Sequence, residues 1–194
     1  MRFLCVLAIA LLGGPPAVLA QPGRATDPGT FAGEARRIYV EQLKSARGLI
    51  SQKQFAEAIV ILDRLTNDRP REPQARFLKG VALTDADKLD EAIATFRSVS
   101  ADFPELAEPH NNLAVLYARK GEYELARIEL QAAILAAPDY GVAYENLGDV
   151  HARLAAENYE RATARDSRNK TAPVKLKVVR DLLGAKPDHG GRKR

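Results

Sequence analysis

The sequence predicts an all-α solenoid of antiparallel helix pairs. Three observations carry this: an apolar pattern that repeats every 34 residues, a small residue at the same two places in each period, and a proline closing each period. The clearest period is Glu108 to Tyr140, EPHNNLAVLYARKGEYELARIELQAAILAAPDY. Its first helix sets Leu113 and Tyr117 on one face by their four-residue spacing, and its second does the same with Ala126, Leu130 and Ala133. Ala114 and Ala126 are small enough to let the two helices approach. Gly121 stands where the chain must leave the first helix in a left-handed conformation, and Pro138 cannot continue the second.

Shifting back by one period gives Asp87 and Pro104, with Gly80, Leu83, Leu89, Ala92, Phe96 and Val99 at the corresponding places. A further shift gives Ala46, Leu49, Phe55, Ala58, Leu62, Leu65 and Pro70. One hairpin cannot bury its own apolar face, so this gapless recurrence is what a stacked array requires. In the second copy a charged Lys79 lies between Phe77 and Leu78, which predicts a local repacking without loss of the helix.

These positions resemble the tetratricopeptide repeat (TPR) pattern, in which leucine, glycine and tyrosine precede alanine, a large apolar residue and proline. The resemblance implies a right-handed TPR solenoid over 31–184, with repeats at 39–72, 73–106 and 107–140 and an atypical fourth at 141–183. The stretch ENLGDVHARLAAENYERA also resembles exported TPR proteins of Gram-negative bacteria.

In chain order, Met1 to Ala20 reads as a secretory signal: Arg2 is the charged start, Phe3 to Leu12 the apolar run, and Val18-Leu19-Ala20 the small-residue cleavage site. The run is too short to span a bilayer, and the mature chain is expected to hold no transmembrane segment. Cys5, the only cysteine, falls inside it, so the mature chain would have neither disulfide nor thiol chemistry. The location expected is periplasmic or secreted. Pro22, Gly23, Pro28 and Gly29 make 21–30 a flexible lead-in, and a helix is expected from about Thr30 to about Ser51.

The fourth repeat begins normally with Tyr144, Leu147 and Gly148 and then loses its spacing. Tyr117 and Leu130 are 13 residues apart, whereas their counterparts His151 and Tyr159 are 8 apart. Five residues, the whole turn between helices, are missing. Tyr144, Leu147, His151, Leu154, Ala155, Tyr159 and Ala162 form one unbroken helical stripe, which predicts a single long helix from about Val142 to Ala164. Lys170 to Leu183, with Val174, Val178, Val179, Leu182 and Leu183 on one side, is expected to fold back and cap it before Gly184. The basic end, 185–194, is expected to be disordered.

From Lys170 onward eight Lys and Arg face two Asp, a local charge of +6, which leaves Gln21 to Asn169 at −3. A mildly acidic array argues against a nucleic-acid groove along its length. No HExxH, serine elbow or glycine-rich phosphate loop occurs, so no enzyme activity, cofactor or metal is expected. His110 and His151 take places that the repeat fills with packing residues, and burial or partial burial between helices is expected for both.

The resemblance implies that the first helix of each repeat lines the inner wall. Position by position, that wall holds Leu43, Arg47 and Ile50; Phe77, Val81 and Asp85; Asn111, Asn112, Val115 and Arg119; and Glu145, Asn146, Asp149 and Arg153. Asn112 and Asn146 stand one period apart and suit the backbone of an extended peptide, since an amide donates to a carbonyl and accepts from an N–H at once. Arg119 and Arg153, the second such pair, suit a carboxylate, with Glu108, Glu145 and Asp149 near enough to neutralise them. The more apolar upstream part, with Leu43, Ile50, Phe77 and Val81, suits either a hydrophobic anchor or a cover by the extended first helix.

The function expected is an exported scaffold that binds a protein or extended peptide through Asn111, Asn112, Asn146, Arg119, Arg153 and Phe77. Two alternatives stay open. One is a homo-oligomeric structural element that self-associates through its last helices. The other is a surface protein using its basic tail on anionic polymer or lipid.

Overall fold

The computed structural model describes residues 28–184, with eight helices among them and no strand: α1 (Pro28–Ser51), α2 (Phe55–Asp68), α3 (Pro73–Asp85), α4 (Leu89–Asp102), α5 (Ala107–Arg119), α6 (Tyr123–Ala136), α7 (Gly141–Arg165) and α8 (Thr171–Gly184). The signal segment, most of the lead-in and the basic tail lie outside the described residues. Helix α1 starts at Pro28, two residues ahead of Thr30, because proline is suited to a first helical turn, where its missing N–H has no intrahelical acceptor.

The chain divides into a leading unit ending at Ile38 and a repeat unit from Tyr39 onward. In the leading unit, Ala32 to Ile38 are helical and exposed. In the repeat unit each helix from α2 on packs against the next, and α5 also touches α7. The alanines in register, Ala58, Ala92 and Ala126, are fully buried, as are Leu62, Phe96 and Leu130 one turn further on. The apolar stripes read from the sequence are therefore the contact faces.

The turns inside repeats one to three share one geometry. Lys53, Asp87 and Gly121, each 34 residues from the last, have φ of 62°, 60° and 76°. After each of them the next amide reaches back across the helix end: Gln54 to Leu49, Lys88 to Leu83 and Glu122 to Tyr117, all at 2.9 Å. This left-handed cap satisfies carbonyls that the helix leaves open.

Repeat four has no such turn. α7 is one helix of 25 residues, about 38 Å long. Aligned on Arg119 and Arg153, the missing piece is Lys120 to Glu124, after which Leu125 and Ala126 correspond to Leu154 and Ala155. The turn that follows α7 is again of the regular kind. Arg69, Phe103, Ala137 and Asp166 all have φ between −137° and −139°, and each donates its N–H to the carbonyl four residues back. The second half of α7 is thus the second helix of repeat four, fused in line with the first, and α8 stands as the first helix of a fifth repeat.

Two expectations differ from the structure. His151 is exposed, because the helix that covers Tyr117 in repeat three does not return over α7; His110 is half-buried as expected, its Nδ1 2.7 Å from Glu129 Oε2. The apolar residues of α8 do not share one buried side. Ala172, Leu176, Val179 and Leu183 turn inward, whereas Val174, Val178 and Leu182 are 63%, 63% and 65% exposed. Those three occupy the inner-wall positions of a first helix, where α7 offers no contact. Upstream, Leu43, Ile50, Phe77 and Val81 are partly buried and packed against the core. Lys79 leaves the core by pairing with Asp63 of α2, and α3 stays intact around it.

Candidate peptide-binding wall

The side chains of α3, α5 and α7 and the end of α1 form the wall, and two cavities open on it. The downstream one, about 370 Å³, lies between α5 and α7 and is lined by Val115, Arg119, Asn146, Asp149 and Arg153 over a floor that includes Ala114, Leu130 and Val150. Five residues assigned to the wall from the sequence thus meet in one place. The upstream cavity, about 200 Å³, is lined by Arg47, Phe77 and Glu108, with Pro73, Gln74, Leu106 and Pro109. Phe77 lines it while its ring also packs in a T-shaped contact with the Phe96 ring, 5.6 Å between centroids.

The two arginines are not equivalent. Arg119 donates to Asp87 Oδ1 at 2.7 Å, across to the preceding repeat, and the neighbouring Lys120 donates to Asp90 at 2.8 Å. That ammonium holds the Asp90 carboxyl below the ordinary carboxylate range. Arg153 has no ion pair among the described residues, although Asp149 lines the same cavity. Among the described residues Arg119 thus pairs with Asp87, and none of Glu108, Glu145 and Asp149 makes an ion pair with either arginine. The field of Glu108 falls instead on Tyr140, whose phenol is pushed up by burial and then by that carboxylate.

The asparagines are not equivalent either. Asn112 donates its amide to the Glu108 carbonyl of its own helix at 2.8 Å and lies outside both cavities. Asn146 donates to Oδ1 of Asn111, also at 2.8 Å, and lines the downstream cavity. Asn111 is buried and acts as the support that orients Asn146. Each amide uses one N–H this way, so Asn146 keeps a second N–H and its carbonyl oxygen for a ligand. The sequence places Asn111 and Asn146 on the wall; their mutual bond depends on how far α5 and α7 are apart, which spacing alone does not give.

Among the described residues no group of three or more His, Cys, Asp or Glu is arranged to hold a metal ion, and no helix is long and apolar enough to cross a membrane. The arrangement can hold a polar chain: a cation, an oriented amide and an apolar floor along one open groove.

Comparison with known proteins gives the same picture. Two family models described as Tetratricopeptide repeat match residues 43–107 and 83–154, together more than half of the chain. The chain is 34% identical over 91 residues to the TPR repeat-containing thioredoxin TTL4 of Arabidopsis thaliana, covering 46% of this chain and 13% of that protein. Among solved structures it is similar to YrrB, described as a TPR protein with an unusual peptide-binding site, at 30% identity and a TM-score of 0.50 over 54% of each chain. MamA shares the fold at 21% identity, with a TM-score of 0.55 over 78% of this chain and 85% of that one. The chain thus spans about an eighth of the plant relative and about half of YrrB. With the period, the repeated caps and the fully buried alanines in register, this chain belongs to the tetratricopeptide repeat family.

Proposed function

We propose that the chain is a non-catalytic scaffold that binds an extended peptide segment of a partner protein across the groove between α5 and α7. The observation that carries this reading is Arg153: a wall arginine with no ion pair among the described residues, beside an amide held in place by a buried neighbour, over an apolar floor. A guanidinium with no ion pair among the described residues matches an acidic side chain or a terminal carboxylate on the peptide, and Asn146 matches its backbone. YrrB, similar in the same fold, is described as having a peptide-binding site, which supports the class of ligand.

Peptides selected from a random library test the reading. Arg153→Ala is expected to weaken a selected peptide about tenfold, the effect of one charge-assisted hydrogen bond, while the helical circular-dichroism signal stays unchanged. Equal affinity for parent and variant would remove Arg153 from the site. Asn146→Ala is a less clean probe, since it also strips the buried Asn111 of its partner.

Met1 to Ala20 has the order of a secretory signal, which supports a scaffold working in the cell envelope or outside the cell. Protein recovered from cells is expected to begin at Gln21 by intact-mass measurement; recovery with Met1 retained would contradict export.

A further inference from the structure

We infer that repeat four is completed by a second copy of this chain, through an exchange in which the α7 helices pair antiparallel. The inference goes beyond the peptide groove and does not depend on it, because it uses the opposite side of α7.

Every regular repeat buries one face of its first helix against one face of its second. In repeat three these are Ala114 and Tyr117 on one side, and Ala126, Leu130 and Ala133 on the other, none more than 3% exposed. In α7 both faces are present and neither is covered in that way. Gly148 and His151, the counterparts of Ala114 and Tyr117, are exposed, and Tyr144, at the place of His110, is 51% exposed. Ala155, Tyr159 and Ala162, the counterparts of the three fully buried positions, are only partly buried, and the contact recorded on the Tyr159 ring is the Lys175 ammonium of α8, 5.8 Å from its centroid. The two faces belong to each other, yet a straight helix holds their centres, Gly148 and Tyr159, about 16 Å apart along its axis.

The occupant follows from the match between them. In repeat two, Phe96 sits directly on Gly80, where an added methyl would lie 2.6 Å from its ring. Repeat four keeps the same combination, a glycine at 148 and an aromatic at 159, but nothing lies within 4 Å of the place a Gly148 side chain would occupy. The polar pair His110–Glu129 of repeat three likewise has its counterpart in Tyr144 and Asn158, a hydroxyl donor and an amide whose oxygen accepts. Two α7 helices related by a twofold axis near Arg153 and Leu154 bring Gly148 to the other copy's Tyr159, and Tyr144 to its Ala162 and Asn158. The twofold forms the contact twice, so two complete intra-repeat interfaces are restored. Loss of the connecting turn is a known route to such exchange, since a hinge too short to close leaves its two arms to pair between chains. Arg119, Asn146 and Asp149 stay on the other side of the helix pair, so the groove remains open.

Cross-linking in a Cys5→Ser background tests this. Tyr144→Cys and Ala162→Cys, made in separate chains and mixed, are expected to form a disulfide-linked dimer. Neither alone is expected to link to itself, because the twofold holds like positions about 26 to 28 Å apart. Sedimentation of the unlabelled chain is expected to give a dimer at micromolar concentration, and reinserting Lys-Gly-Glu-Tyr-Glu between Arg153 and Leu154 is expected to give a monomer, because each copy then closes its own hairpin. A monomer at all concentrations for the parent chain would overturn the inference. So would a dimer that survives the insertion or shows no link between positions 144 and 162.

Discussion

Gly80→Ala lowers stability by about 2 kcal/mol, and adding Phe96→Leu recovers most of the loss. At Gly80 a methyl would come within 2.6 Å of two atoms of the Phe96 ring and 2.9 Å of a third, and that ring is fully buried. It cannot swing aside into solvent, so the core must shift, an overpacking effect of about 1 to 3 kcal/mol. Alanine by itself would favour the helix over glycine by about 1 kcal/mol, so a net loss isolates the clash. The rescue has a structural reason. Repeats one and three pair alanine with leucine at these two places, Ala46 with Leu62 and Ala114 with Leu130, whereas repeat two pairs glycine with phenylalanine. The double variant installs a combination that this backbone already accommodates twice. Urea unfolding of the four proteins of the cycle measures it, and additive losses would show that the two positions do not touch.

Restoring the five missing residues has the largest expected effect on architecture. With Lys-Gly-Glu-Tyr-Glu inserted after Arg153, α7 is expected to become two antiparallel helices. Glu145 and Arg161 lie sixteen residues apart on the straight helix, about 24 Å along its axis. In a hairpin like that of α5 and α6 they fall to roughly 10 Å, the spacing of packed helices. Spin labels at these two exposed positions, with Cys5 replaced, read the change as strong dipolar broadening. An unchanged separation would mean that Leu154 to Arg165 prefers the straight course for reasons other than the lost turn.

What the sequence reveals and what it withholds divide along a physical line. The period, the caps and the fusion of α7 are local or strictly repeated, and they follow from spacing: three residues at positive φ recur every 34, and α7 is straight because nothing between Asp149 and Glu157 can turn. Pairings between repeats are not local. That Asp87 takes Arg119, and that Asn111 orients Asn146, depends on the rotation of one repeat against the next, which no spacing within a repeat encodes. The burial of α8 is non-local for a related reason. Both Val174/Val178/Leu182 and Ala172/Leu176/Val179/Leu183 are apolar stripes at helical spacing, and only the position of α7 decides which of them turns inward. His151 is exposed by the same cause that makes α7 continuous, an absent returning helix.

Site-directed photo-cross-linking tests the central claim, that the wall of first helices takes the peptide, most directly. A photoreactive residue at Val115, on the groove and 39% exposed, is compared with one at Ile128, on α6 and 51% exposed. With a library-selected peptide, the account predicts cross-links from position 115 that an excess of unlabelled peptide suppresses, and none from position 128. Cross-links from 128 alone, or equally from both, would contradict it.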